Sequence, residues 1–132
     1  MSDISYNTDG SLKADFYGIW RNSKNAWMQY DIRADKIVYT DSANNSYTIN
    51  DIIWTSIINN GSYSDFCNSE TYPNGFCING TFSNLNGLRG ISGGAQLQVG
   101  SRPTIIFFIN TDKTKIFTDD WSNDYNPFSK QQ

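Results

Sequence analysis

Two cysteines bracket the segment Cys67-Asn-Ser-Glu-Thr-Tyr-Pro-Asn-Gly-Phe-Cys77. Their spacing is too long for a CxxC redox or zinc motif, and the chain has no histidine to complete a ligand set. Pro73-Asn74-Gly75 between them reads as a turn. A disulfide closing so short a loop would remove about 3 kcal/mol of unfolded-state entropy. The expectation is a Cys67–Cys77 bridge in an oxidising compartment, with two free thiols as the alternative. The missing histidine also removes the usual general base near neutral pH and every Ser-His-Asp or Cys-His arrangement. Serine, tyrosine and aspartate are plentiful, but no pair has a spacing that argues for acid–base or nucleophilic catalysis. Asp119-Asp120-Trp-Ser-Asn-Asp124 gathers acids without the further oxygen ligands and glycine of a calcium loop, and reads as a solvated acidic end. Gly87-Leu-Arg-Gly90-Ile-Ser-Gly-Gly94 lacks the GxGxxG spacing of a phosphate cradle and reads as a flexible connection. No catalytic residue, metal site or cofactor is assigned, and the protein is not expected to be an enzyme.

The elements that would position such groups are short β-type runs alternating with turn residues. The runs are Phe16–Arg21, Trp27–Ile32, Lys36–Tyr39, Tyr47–Asn59, Phe76–Phe82, Ala95–Val99, Thr104–Ile109 and Lys115–Thr118. Several alternate with period 2. Met28, Tyr30 and Ile32 share a face opposite Trp27, Gln29 and Asp31; Phe76, Ile78 and Phe82 share a face opposite Cys77, Asn79 and Thr81. The long run at 47–59 leaves room for a turn near Asn50-Asp51. Asn-, Ser- and Gly-rich breakers separate the runs. Eight short strands joined mostly by short turns favour a meander, which hides its edges best by closing. The predicted fold is all-β, an eight-stranded antiparallel up-and-down barrel over residues 15–132, preceded by a polar tail at 1–14.

The chain has 132 residues, enough for one domain with a real core. Aromatic residues make up 15% and the net charge is −3. A basic footprint for nucleic acid is therefore missing, and no apolar run approaches the length of a transmembrane helix. Met1-Ser-Asp-Ile-Ser-Tyr lacks the basic and apolar regions of a signal peptide. Met1 is read as a start placed where a leader was removed. The expected location is then secreted, periplasmic or outer-envelope, with a lipid anchor on the removed leader as one form of attachment. Sequons at Asn44, Asn60 and Asn79 carry little weight in so Asn- and Ser-rich a chain.

Gly18-Ile19-Trp20 opens the first run after a polar leader. This Gly-x-Trp resembles the opening motif of the lipocalin and avidin group, the calycins, and the chain as a whole reads like small lipocalin-like envelope lipoproteins. The resemblance implies that Gly18 lets the chain approach closely at the barrel's start and that Trp20 plugs its closed end. It also implies a late-strand arginine over the indole, for which Arg102 and Arg89 are the candidates. Gly18-Ile-Trp20-Arg-Asn22 is similar to the first strand of avidin-type proteins as well, where Asn22 would meet a biotin head group. Ala26 stands where a hydroxyl is expected, and the later tryptophan motifs are absent, so biotin is set aside.

A barrel of eight strands is just wide enough for side chains or one small ligand. Trp27, Tyr30, Tyr39, Tyr47, Trp54, Phe76 and Phe107, with Phe108, are the candidate pocket residues; Gly18, Trp20, Cys67 and Cys77 are the structural ones. The leading expectation is a non-catalytic barrel for a small apolar or aromatic ligand. The alternative is a protein-interaction module, an adhesin, assembly factor or inhibitor, that uses the rim loops of a filled barrel. An interior occupied by the protein's own rings favours the second.

Overall fold

The computed structural model describes residues 14–42, 45–62, 67–86, 99–119 and 127–131. They form β1 (Gly18–Asn22), β2 (Gln29–Ile32), β3 (Lys36–Ser42), β4 (Asn45–Ile58), β5 (Asn74–Asn86), β6 (Thr104–Ile109), β7 (Lys115–Thr118) and β8 (Phe128–Lys130). Each strand pairs antiparallel with the next, and β8 returns to β1, giving a closed up-and-down barrel. The closing seam sets Trp20 opposite Lys130 and Asn22 opposite Phe128. Closure follows from the alternation: one face of most strands is largely apolar, and a closed sheet buries those faces together.

The eighth strand differs from expectation. Ala95–Val99 falls mostly outside the described residues, with Val99 in a turn, and the closing strand is Phe128–Lys130. The run at 47–59 is a single strand, but its register with β5 shifts between Asn50 and Ile53, where Asp51 takes a φ of 55°. The feature near Asn50-Asp51 is thus a bulge that bends the strand rather than a turn that ends it. β3 accompanies β4 only as far as Asn50.

Inside the barrel, Trp20, Tyr30, Ile32, Ile37, Tyr39, Tyr47, Ile49, Phe76, Ile78, Phe82, Phe107, Ile109, Ile116 and Phe128 form one core. Burying each large ring contributes on the order of 1.5–3 kcal/mol. A second, smaller cluster lies on the outside of the wall, where Cys67, Tyr72 and Phe108 pack with Ile57, Ile106 and Phe117. It is roofed by the connection between β4 and β5.

Asparagines build the turns. Asn22 Oδ1 accepts the N–H groups of Lys24 and Asn25, and Asn110 Oδ1 accepts those of Thr114 and Lys115. Asn59, buried, donates through Nδ2 to the carbonyls of Cys67 and Tyr72. Each side chain replaces a backbone partner that a tight turn leaves without one. The Asn-rich composition is therefore a set of connections, and Asn22 is spent on its own turn rather than aimed at a ligand.

Candidate functional site

The barrel has two ends. One carries the entry to β1 and the β2–β3, β4–β5 and β6–β7 connections; the other carries the β1–β2, β3–β4, β5–β6 and β7–β8 connections. At the first end, Ala14–Tyr17 makes a turn closed by Tyr17 N–H on the Ala14 carbonyl. Phe16 drops fully buried between Trp54 and Phe76, with ring centroids 6.4 and 5.7 Å away. Trp20 donates its indole N–H to the Phe16 carbonyl at 2.8 Å. Asp15 pairs with Lys113 at 2.7 Å on the outside. The first end is plugged by this turn.

Lys130 lies over the Trp20 ring, its Nζ 5.3 Å from the centroid, and reaches the Asp15 carbonyl at 3.4 Å. Such a cation–π contact holds the last strand on the first. Gly18 makes room for it: its φ is +133°, and a Cβ there would sit 3.0 Å from Lys130 Cε. The candidates for this position were Arg102 and Arg89. Arg102 instead bonds Thr81 Oγ1 at 2.6 Å and Asn79 Oδ1 at 2.9 Å on the outer wall, and Arg89 lies outside the described residues.

The middle of the lumen holds the tyrosines. Tyr30, Tyr39 and Tyr47 stand side by side on β2, β3 and β4, because Tyr30 registers with Tyr39 and Tyr39 with Tyr47. All three are 0% exposed. Their rings touch at 4.9 and 5.0 Å, and the row continues from Tyr47 to Phe82 at 5.2 Å. From Tyr30 it crosses to Phe107 at 5.2 Å and Phe128 at 4.9 Å. These are edge, tilted and, for Tyr39 on Tyr47, stacked geometries. Of the expected pocket residues, Tyr30, Tyr39, Tyr47 and Phe107 are thus brought together in one row of contacts in the lumen, while Phe76, the register neighbour of Phe107, packs its ring on Phe16 and Trp54. Phe82 and Phe128 complete the row. Phe82 shares the apolar face of Phe76 and Ile78 in the sequence, whereas Phe128 lies in a run too short to show a period.

The remaining expected rings lie elsewhere. Trp54 is half-buried at the plugged end and donates its indole N–H to the Ala34 carbonyl at 3.2 Å. Phe108 faces outward into the second cluster. Trp27 is 70% exposed in the β1–β2 turn and does not line the lumen. Its backbone is held firmly, since Trp27 N–H meets Asn25 Oδ1, Met28 N–H the Asn25 carbonyl, and Asn22 N–H the Met28 carbonyl. The turn is tied to the β8 side by Ser23 N–H on the Pro127 carbonyl.

The expected disulfide is not formed: Cys67 and Cys77 are both free thiols. Pro73-Asn74-Gly75 is not an isolated hairpin turn between them, because Asn74 and Gly75 already pair as the start of β5. Cys77 sits on the outer face of that strand, half-buried, while Cys67 is buried on Phe108 in the roofed cluster. Asn59 ties the roof down in place of a bridge. Burial pushes the Cys67 thiol from 9.0 up to about 12, against the lowering effect of the bond from Asn59. Burial, then the negative charge of Asp119, raises Cys77 too. Neither is poised as a nucleophile. The sign for stability follows: between about pH 9 and 12 the unfolded chain loses the Cys67 proton and the folded one keeps it. Stability is therefore expected to fall as pH rises through that window, and less steeply in Cys67→Ala. Denaturant titrations of both proteins at pH 8 and pH 10.5 check this, and equal losses would remove Cys67 as the cause.

Among the described residues no group of three or more His, Cys, Asp or Glu could hold a metal ion. Among the described residues no helix is long and apolar enough to cross a membrane. Comparison of the chain with protein-family models, with curated proteins and with solved structures finds no match.

Proposed function

We propose that this protein is a non-catalytic recognition module that engages a partner protein through the rim and outer surface of a barrel filled by its own rings. The observation that carries the reading is the unbroken contact from Phe82 through Tyr47, Tyr39 and Tyr30 to Phe107 and Phe128. A ligand at that level would have to displace rings that already satisfy one another. The rim, by contrast, offers Trp27: a large ring held out in solvent by a turn whose backbone is fully organised. Tryptophan is the residue type most enriched among interface hot spots, and a rigid mount reduces the ordering cost of binding. Likeness to the lipocalin and avidin group belongs to the same proposal, supported by the eight-strand closure and by Lys130 over Trp20. A secreted or envelope location rests on that likeness.

A second reading, carriage of a small apolar compound, is favoured by the tyrosines themselves. Tyr30, Tyr39 and Tyr47 bring their hydroxyls into the lumen, which a purely structural plug of phenylalanine or leucine would not require. Titration with fatty acids, retinoids, tetrapyrroles and hydrophobic dyes, read by tryptophan emission, separates the two. The expected result is no saturable change for any class; one saturable change returns the function to ligand carriage. For the rim, Trp27→Ala should leave folding stability within about 0.5 kcal/mol while weakening binding of a partner by about 2 kcal/mol or more.

A further inference from the structure

Asparagine is followed by glycine four times, at Asn60-Gly61, Asn74-Gly75, Asn79-Gly80 and Asn86-Gly87. The pair carries its own chemistry, because glycine has no side chain to shield its backbone nitrogen from the carboxamide before it. The fold treats the described pairs differently. Gly75 and Gly80 are buried within β5. The extended backbone there points the side chains of Asn74 and Asn79 out of the sheet, away from the next peptide nitrogen. Asn79 is held further: its Nδ2 donates to the Pro103 carbonyl at 3.0 Å and to Thr104 Oγ1 at 3.2 Å, and its Oδ1 accepts from Arg102 at 2.9 Å. The Gly80 N–H is itself given to the Pro103 carbonyl at 3.4 Å. Gly87 lies outside the described residues.

Asn60-Gly61 is in neither a strand nor the core. Asn60, Gly61 and Ser62 are all exposed, in the connection that leaves β4. Asn60 Oδ1 accepts the Ser62 N–H at 3.1 Å. That turn folds the carboxamide back over the Gly61 peptide, and the donated N–H polarises the Cγ–Oδ1 bond. Gly61 takes a φ of +95°, which glycine reaches without strain. We propose that Asn60 is the site at which the folded protein modifies itself, by deamidation through a succinimide. The Gly61 nitrogen gives its proton to solvent hydroxide and bonds Asn60 Cγ. The Cγ–Nδ2 bond breaks, and Nδ2 leaves as ammonia with a proton from water. A second water then opens the ring, at Cγ to give aspartate or at the main-chain carbonyl to give isoaspartate. Water is the only co-reactant. The Gly61 N–H rests on Asn59 Oδ1 at 3.1 Å, so attack must draw it from the residue that also ties down the roof. Either product adds one negative charge beside Asn59, and isoaspartate also lengthens the backbone there by one carbon. The site involves neither Trp27 nor the lumen, so it stands or falls apart from the function proposed above.

Native protein aged at about pH 9, digested with chymotrypsin and read by mass spectrometry tests it. Cuts at the aromatic residues place Asn60, Asn74 and Asn79 in different peptides. The expected result is a gain of one dalton that fragmentation assigns to Asn60, with isoaspartate among the products, while Asn74 and Asn79 keep their mass over the same period. In guanidinium chloride the three pairs should react at similar rates, because the fold no longer separates them. Gly61→Ala sets a methyl group beside the attacking nitrogen and should slow the native reaction. If that variant fails to fold, the comparison of native with unfolded wild type decides. Native protein in which Asn60 keeps its mass, in which Asn74 or Asn79 reacts as fast as Asn60, or in which a folded Gly61→Ala reacts as fast as the wild type, overturns the proposal.

Discussion

Replacing Trp20 with alanine is expected to cost about 3–5 kcal/mol of folding free energy, the usual loss for a large ring removed from a packed interior. Three features place it at the upper end. The ring is 0% exposed, so its whole area returns to water or leaves a void. Its indole N–H holds the Phe16 carbonyl, so the turn that plugs the barrel loses its anchor and a buried acceptor loses its donor. Lys130 loses the face it rests on, at the seam joining the first and last strands. Against a typical domain stability of about 5–15 kcal/mol, this leaves little. A urea titration reads it as a lower midpoint with the slope retained. Trp20→Phe separates the contributions: it keeps most of the packing and loses the hydrogen bond, and should cost roughly 1–3 kcal/mol. A loss below about 1 kcal/mol for the alanine variant would show that the Gly-x-Trp match has nothing to do with closing the barrel.

Most of the barrel was legible because its strands are long enough to show two or three periods. Met28, Tyr30 and Ile32 point inward as the alternation requires, and so do Phe76, Ile78 and Phe82. The same parity sets Trp27 on the outer face. Counting it as a pocket residue followed ring size instead of parity, and the structure sides with parity. β8 was illegible for the opposite reason: three residues cannot display a period, and its partner Trp20 is at the far end of the chain. Lys130 is found only once closure is known. The cysteines misled through local reasoning. A ten-residue separation around Pro-Asn-Gly suggests a stapled hairpin, but β5 begins at Asn74 and leaves Cys77 on the wall while Cys67 goes under the roof. The staple is Asn59, which looks in the sequence like one more polar turn residue.

Gly75 shows how a residue correctly marked as special can be special for another reason. Asn74-Gly75 reads as a turn, where glycine would serve a positive φ; in the structure Gly75 is a buried strand residue between Ile57 and Phe108. A Cβ added there would lie 2.0 Å from the Phe107 carbonyl oxygen and 2.6 Å from a Phe108 ring carbon. The first of these is backbone within the β5–β6 ladder and cannot swing aside as a side chain can. Gly75→Ala must therefore push β6 away from β5, just where Phe76 meets Phe107 in the lumen and Phe108 supports the outer cluster. The expected loss is about 3 kcal/mol or more, at the severe end for overpacking. Gly61→Ala is the control. Its φ is +95° with nothing within 4 Å, so it carries conformational strain alone, about 1 kcal/mol. Thermal unfolding of both variants, with amide exchange at Phe107 and Phe108, reads the difference. Equal, small losses would mean that the close approach of β5 and β6 is not needed for the fold. A large loss confined to Gly75→Ala, with fast exchange at those amides, ties stability to the contact between two strand backbones.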